Sequence, residues 1–465
     1  MKNPLVAGIA FVAFGFSLLC SSGQAQTPAP LVPIPKRLTL AEAESLLIQR
    51  NLSVIAAKYN IEAGRAAKLM ASYKPNPILT IGAEQFHVGH PYHGIINTDT
   101  NAGAQPTFTL RVDKIWERGG KRELRTEVAD YQIKTSEAQM LDAMRTQLYQ
   151  LRLAFTSATL ARENLLVAEA TEQQYTQTEK LTEIKVEQGD VAGVEVYRVR
   201  AGRLQFQQAV LQASTAYVQA VRDVINLLGA KVEEISGGQL VSNDETPRFE
   251  KISYTPEQPK QFESLASAPL DLLYRFDDRP LATTISELRA AALAERPDVI
   301  AARNTLLATG SSIKLAQAQR TRDVSVGYEF QRVGQDHALG VVVQIPLFTY
   351  NNQQAGIAQA EAQQMSAAAL LKQAETQAVN DVEKAYQSYL AAQRMLELYN
   401  TQNLNQVEKL RSIAAYSFKE GALSLFEVLD AQRAYNQTIT AYNQARADYQ
   451  NSLWQLEYAI GKPLR

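Results

Sequence analysis

Gly421-Ala422-Leu423-Ser424-Leu425-Phe426-Glu427-Val428-Leu429-Asp430-Ala431-Gln432 lies inside a tract, 347–462, that contains no proline. Proline breaks helices, so 116 residues without one, rich in alanine and glutamine, read as long helix. A glycine inside such a pattern is a turn or cap residue, and Gly421 therefore marks a reversal between two antiparallel helices. Ser424 and Glu427 stand three apart beside an apolar run, the spacing of a capping box that starts the returning helix. Upstream, Val379, Val382, Tyr386, Tyr389, Gln393 and Leu396 alternate steps of three and four, the seam of a coiled coil. A single helix over 350–420 is expected, on the order of 100 Å long.

The same pattern occurs earlier in the chain. Gly189, Glu195, Val196, Tyr217 and Gly229 precede Gly421, Glu427, Val428, Tyr449 and Gly461 by 232 positions each, which makes Gly189 a second helical reversal. Ile55-Ala56-Ala57-Lys58 and Ile81-Gly82-Ala83-Glu84 precede Ile300-Ala301-Ala302-Arg303 and Val326-Gly327-Tyr328-Glu329 by 245. The offset changes between the two blocks because the loop after the first strand is longer in the first half. Five prolines within 247–280, beside Gly237-Gly238, mark an irregular connector. The expected organisation is a signal peptide over 1–25 and an N-terminal arm over 26–37. A first repeat over 38–229 runs helix, strand, strand, helix, helix and turns near 189. A connector over 230–282 leads to a second repeat over 283–465, turning near 421.

Each repeat carries a pair of strands. Val324, Val326, Tyr328 and Phe330 alternate with Ser325, Gly327, Glu329 and Gln331, and Phe108, Leu110 and Val112 with Thr107, Thr109 and Arg111. Strands are expected at about 77–86, 106–115, 323–332 and 338–348. Segments of about ten residues cross an outer membrane as barrel staves. Four strands cannot close a barrel and lipid tolerates no open sheet edge, so copies of the chain would pool them, eight in a dimer or twelve in a trimer. Glu84, Arg111 and Glu329, on the wet face, then line the pore or are simply kept out of lipid. The alternative is an ordinary hairpin sheet in the periplasm.

Composition excludes several classes. Lys and Arg number 47 against 48 Asp and Glu, a net charge of -1 without the basic excess that nucleic acid requires. One cysteine and four histidines leave no zinc cluster, disulfide framework or catalytic motif, so neither an enzyme nor a cofactor is expected. Lys2, the uncharged run Leu5 to Leu19 and the small residues Ser21 to Ala25 have the layout of a secretory signal, with cleavage after Ala25. Cys20 is lost with it; lipidation there is the alternative, against which Leu19 counts. No later segment approaches the roughly 20 apolar residues of a spanning helix. His87, His90 and His93 invite a metal reading, but Gly89, Pro91 and Gly94 surround them and no carboxylate or thiol completes a site. They read as solvated loop residues, as does His337.

Taken together these residues resemble the TolC-type outer-membrane factors. The likeness is carried by the two helix-strand-strand-helix units, the stretch Gly421 to Gln432, its weaker copy from Gly189 to Ala201, and the ending Ala459-Ile460-Gly461. Glu117-Arg118-Gly119-Gly120-Lys121-Arg122 is similar to the ExGGKR segment of the heavy-metal cation efflux branch. The resemblance implies a mainly α protein with a membrane β-barrel: a homotrimer whose twelve-stranded barrel continues into a long coiled α-helical barrel. It implies an equatorial belt to which 230–282 contributes, docking of a periplasmic adaptor at the tips marked by Gly189 and Gly421, and delivery by an inner-membrane pump. Glu195, Glu427 and Asp430 match the family's acidic constriction, although Glu427 also reads as a helix cap. Arg198 stands in the first unit where Asp430 stands in the second, which would partly neutralise such a ring. The implied function is an outer-membrane exit duct, for heavy-metal cations first. Organic solutes or secreted protein are the alternative cargo, and a periplasmic coiled-coil adaptor is a distant alternative.

Overall fold

The computed structural model describes residues 34–84, 106–235, 268–277, 279–399 and 401–464. The expected signal peptide with Cys20, the segment carrying His87, His90 and His93, and most of the expected connector lie outside these residues.

β1 (Arg37–Thr39) leads into α1 (Leu40–Arg50) and α2 (Leu52–Ser72), then β2 (Ile78–Glu84) and β3 (Thr107–Trp116). α3 (Lys121–Glu187) and α4 (Val194–Leu227) follow, and after the connector come β4 (Asp271–Leu273), α5 (Ile285–Glu295) and α6 (Pro297–Ala318). β5 (Val324–Val333), β6 (Asp336–Gln344), α7 (Gln354–Leu398), α8 (Thr401–Lys419) and α9 (Leu425–Ile460) complete the chain. Thr39 starts α1 through a capping box with Glu42, and Thr284 starts α5 the same way with Glu287. α3 is 67 residues long, about 100 Å at the usual helical rise.

Two expectations about the helices are corrected. The helix expected over 350–420 is two helices, α7 and α8: Tyr399 leaves helical geometry at φ -94°, ψ 47°, and the Asn403 amide caps the Leu398 carbonyl at 2.8 Å. No proline marks this break; a short polar side chain that competes for backbone carbonyls makes it. The single helix expected ahead of each strand pair is also two. Asn51 accepts from the Ser53 and Val54 amides at 2.9 and 3.3 Å, so one helix ends and another starts on it. At the equivalent junction, Pro297 in the first turn of α6 imposes the restart.

The four longer strands form one antiparallel sheet in the order β2-β3-β5-β6. Residues on one face are in register across it: Ile81, Leu110, Phe330 and Leu339 form one row, and Leu79, Val112, Tyr328 and Val341 the next. All eight side chains are exposed, Leu339 to 87%. β6 ends at Gln344 rather than near 348, because Pro346 has no amide to donate to a ladder.

Buried residues are spread along the helices rather than gathered in one core. One cluster joins α1, α3 and α4 to β1 and β4 around Leu47, Phe155, Val221 and Leu272. A second joins α5, α7 and α9 around Tyr389 and Tyr449. A third, at the far end of the hairpins, gathers Tyr175, Val199, Phe418, Val428 and Leu429. Along α7 the buried face is Ala378, Val382, Ala385 and Tyr389, a narrow four-three-four stripe that admits close helix packing.

Candidate functional site

The two reversals have the same backbone. Gly189 adopts φ +81° and Gly421 φ +78°, the left-handed region that glycine enters without a Cβ clash. The Gly189 amide donates to the Val186 carbonyl at 3.0 Å and the Asp190 amide to Lys185 at 2.9 Å; Gly421 and Ala422 do the same to Phe418 and Ser417 at 3.1 and 2.8 Å. Each pair of bonds is a Schellman stop at the end of a helix.

Beyond the stops the turns differ. Ser424 caps α9: its amide and hydroxyl donate to Glu427 Oε2 at 2.8 and 2.7 Å, and Glu427 returns its amide to the hydroxyl at 3.4 Å. The Ser424 hydroxyl and backbone amide hold the Glu427 carboxyl below its ordinary value. α4 has Ala192 at the position matching Ser424, and its Gly193 N-cap offers no side-chain bond. Glu195 instead accepts from Arg198 at 2.8 and 3.0 Å. Asp430 is exposed and has no ion pair among the described residues. Of the three carboxylates expected at the constriction, one is thus engaged by a cap, one by an arginine, and one is free.

Ion pairs zip the first hairpin. Arg200 reaches Glu179 and Glu183 at 2.9 and 2.7 Å, and Arg203 reaches Glu172 and Glu179 at 3.0 Å each. In the second hairpin the Arg411 guanidinium lies 4.3 Å from the Tyr435 ring centroid. Lys185, 8% exposed, contacts the other hairpin with Nζ 5.5 Å from the Phe418 ring centroid. Sequence reading missed Lys185, whose role comes from a residue 233 positions away in the other hairpin.

On the sheet, Arg111 and Glu329 are register partners on the face opposite the apolar rows, with Arg111 Nη1 3.8 Å from Glu329 Oε2. Asp113, also missed, makes the tighter bonds, accepting from Arg111 Nε and Nη2 at 2.9 and 2.6 Å. Its place two residues along the same strand face was the available signal. Glu84 is on the same face but apart from this group, paired in register with Thr107.

The Glu117–Arg122 segment builds a strand-to-helix junction. Arg125 clamps Glu117 at 2.5 and 3.0 Å, and Lys121 Nζ binds the Thr321 carbonyl and Asp323 at 2.7 and 2.8 Å. A Cβ on Gly119 would stand 2.9 Å from Thr321 Oγ1, so only glycine allows the turn between α6 and β5 to approach this closely. Among the described residues no group of three His, Cys, Asp or Glu could hold a metal ion, and no helix is long and apolar enough to cross a membrane.

A family model described as outer membrane efflux protein matches residues 44–230 and 288–462, more than half of the chain. The chain belongs to the outer membrane efflux protein family. This efflux protein is an outer-membrane protein whose long helices have the family's fold. Its fold is similar to that of the outer membrane protein VceC from Vibrio cholerae, at 17% identity and a TM-score of 0.67, covering 92% of this chain and 97% of that one. The MtrE outer membrane channel of Neisseria gonorrhoeae, in its open state, is similar at 16% identity and a TM-score of 0.67, over 92% and 89% of the two chains. CusC, described in terms of transmembrane channel formation, is similar at 17% identity and a TM-score of 0.67, over 91% and 92%. No curated protein sequence matches significantly.

Proposed function

We propose that this efflux protein is a passive exit duct, a homotrimer whose three sheets close into a twelve-stranded barrel in the outer membrane and whose helices extend into the periplasm. The carrying observation is the sheet itself. One face is exposed and apolar, the other holds Arg111, Asp113 and Glu329, and among the described residues β2 and β6 each keep an unpaired edge. An open edge and an exposed apolar face are both relieved by joining copies in lipid.

Two further observations support an origin by duplication of one unit. The capping boxes at Thr39 and Thr284 are 245 positions apart. Asn51 donates to the Leu227 carbonyl at 3.0 Å, and Arg296, at the offset of 245, donates to the Ala459 carbonyl at 3.3 Å, at the offset of 232.

The tips dock a periplasmic adaptor, and substrate arrives from an inner-membrane pump. Exposed Val194, Tyr197 and Phe426 beside the Gly189 and Gly421 turns offer the apolar contacts such docking uses. Asp430 forms the acidic constriction, with Glu195 and Glu427 contributing less charge. We assign heavy-metal cations as the cargo on the resemblance of Glu117 to Arg122 and on the unpaired Asp430. Organic solutes are the second reading, favoured by the way Glu117, Lys121 and Gly119 are consumed in a structural junction. A strain lacking the chain, challenged with metal salts beside hydrophobic drugs, separates them. Sensitisation to metals alone supports cation efflux; sensitisation to drugs alone overturns the cargo assignment, and no sensitisation to either overturns the efflux role.

A further inference from the structure

All four strands meet the helices at one end of the sheet, through the junctions 73–77, 117–120, 319–323 and 345–353. This end is strongly charged. Glu117, Lys121, Arg122, Glu123, Arg125 and Asp323 are consumed in ion pairs with one another. Lys74, Lys114, Arg118, Arg320 and Arg322 remain, all exposed and none within ion-pair distance of a carboxylate among the described residues. At the other end the described charges are Glu84, Arg332 and Asp336, with no cationic surplus.

The five cations are at this end of the sheet, and Lys114 and Arg322 adjoin its apolar face. Lys114 is itself on that face, in register with Val326 and two residues beyond Val112. Its Nζ lies 4.6 Å from the ring centroid of Trp116, which is 53% exposed, and the Arg322 guanidinium lies 5.6 Å from the Phe348 ring centroid. Leu347 and Tyr350 are exposed beside them. An aromatic belt with snorkelling cations is the composition of a membrane–water boundary. A lysine on the lipid face is costly at the midplane and nearly free at the interface, which puts this row at headgroup depth.

We infer that Lys74, Lys114, Arg118, Arg320 and Arg322 form a cationic collar that selectively holds anionic phospholipid headgroups of the periplasmic leaflet against the base of the barrel. The inference rests on the reading of the sheet as a barrel stave. Its occupant is a lipid phosphate rather than free phosphate, because the apolar rows immediately beside the collar would hold the acyl chains. Guanidinium and ammonium groups without internal counter-ions supply the charge-assisted donors that a phosphate oxygen accepts.

The chain has two tryptophans, Trp116 and Trp454, so the Trp454→Phe variant reports from Trp116 alone. Full-length protein would be reconstituted in phosphatidylcholine vesicles containing equal minor fractions of either brominated phosphatidylcholine or brominated phosphatidylglycerol. Both lipids quench Trp116 if the sheet is in lipid. The collar predicts that the anionic lipid binds about fivefold more strongly at this site, and that inorganic phosphate does not remove the difference. Lys114→Gln with Arg322→Gln should abolish the preference, and Lys74→Gln with Arg320→Gln, further from the belt, should reduce it. Equal quenching by the two lipids in the parent protein, or a preference that survives both double variants, would overturn the collar. Absence of quenching by either lipid would overturn the placement of the sheet in lipid, and the collar with it.

Discussion

Glu427 and Asp430 are three residues apart and differ in what holds them. The Glu427 carboxylate completes the cap of α9, whereas Asp430 is exposed and makes no ion pair among the described residues. Asp430→Asn should therefore lower the cation-over-anion permeability ratio in planar bilayers more than Glu427→Gln does. Arg198→Ala, which releases Glu195, should raise it. An unchanged ratio in all three would leave these residues as structure only. The cap has its own pH signature. Its carboxyl pKa is lowered on folding, so its contribution is complete above the ordinary Glu value and is lost as pH falls through the lowered one. In thermal scans the difference between wild type and Ser424→Ala, about 1 kcal/mol for a typical N-cap, should be present at neutral pH and shrink on that acidification.

At the junction of α5 and α6 one buried arginine holds two carboxylates. Arg296 is buried, bonded to Asp298 at 2.6 Å and to Asp381 at 2.9 Å. Burial alone would push the Asp298 carboxyl up; the Arg296 guanidinium overcomes this and holds it below its usual range. Arg296→Ala should cost about 3 kcal/mol, the lower end for a broken buried pair because both carboxylates remain partly exposed. Hydrogen exchange localised to this junction would read the loss, and unchanged protection there would contradict it. The sequence made the elements legible where local chemistry decides them: alternation marked β3 and β5, while β2 and β6 alternate less cleanly, and glycine in a proline-free tract marked both reversals. It did not show the break at Tyr399 or the division at Asn51, which are made by side chains capping carbonyls and amides rather than by proline. Nor did it show Asp113 beside Arg111, or Lys185 beside Phe418, because those neighbours are decided by strand face and by packing between hairpins.

As a whole, a mostly helical chain presents a four-stranded sheet that is wrong for water on one face and, among the described residues, unpaired at both edges. Placing that face in lipid makes its tolerance asymmetric. Val341→Arg, on the apolar rows, should cost about 2–4 kcal/mol if it lies near the bilayer centre. Ala338→Arg, on the opposite face in register with Gln331, should be tolerated. Recovery of each variant in outer-membrane fractions would check this, and equal recovery would count against a lipid-facing side. If three copies close one barrel through these edges, β6 of one copy lies beside β2 of the next. Single cysteines on β2 at Leu79 or Ile81 and on β6 at Leu339, Val341 or Val343, one from each strand in the same chain, would report this on oxidation of intact outer membranes. A closed three-membered ring predicts crosslinked dimers and trimers and nothing larger for at least one pair. Species beyond three, or no crosslink from any pair in membranes that hold the protein, would contradict it.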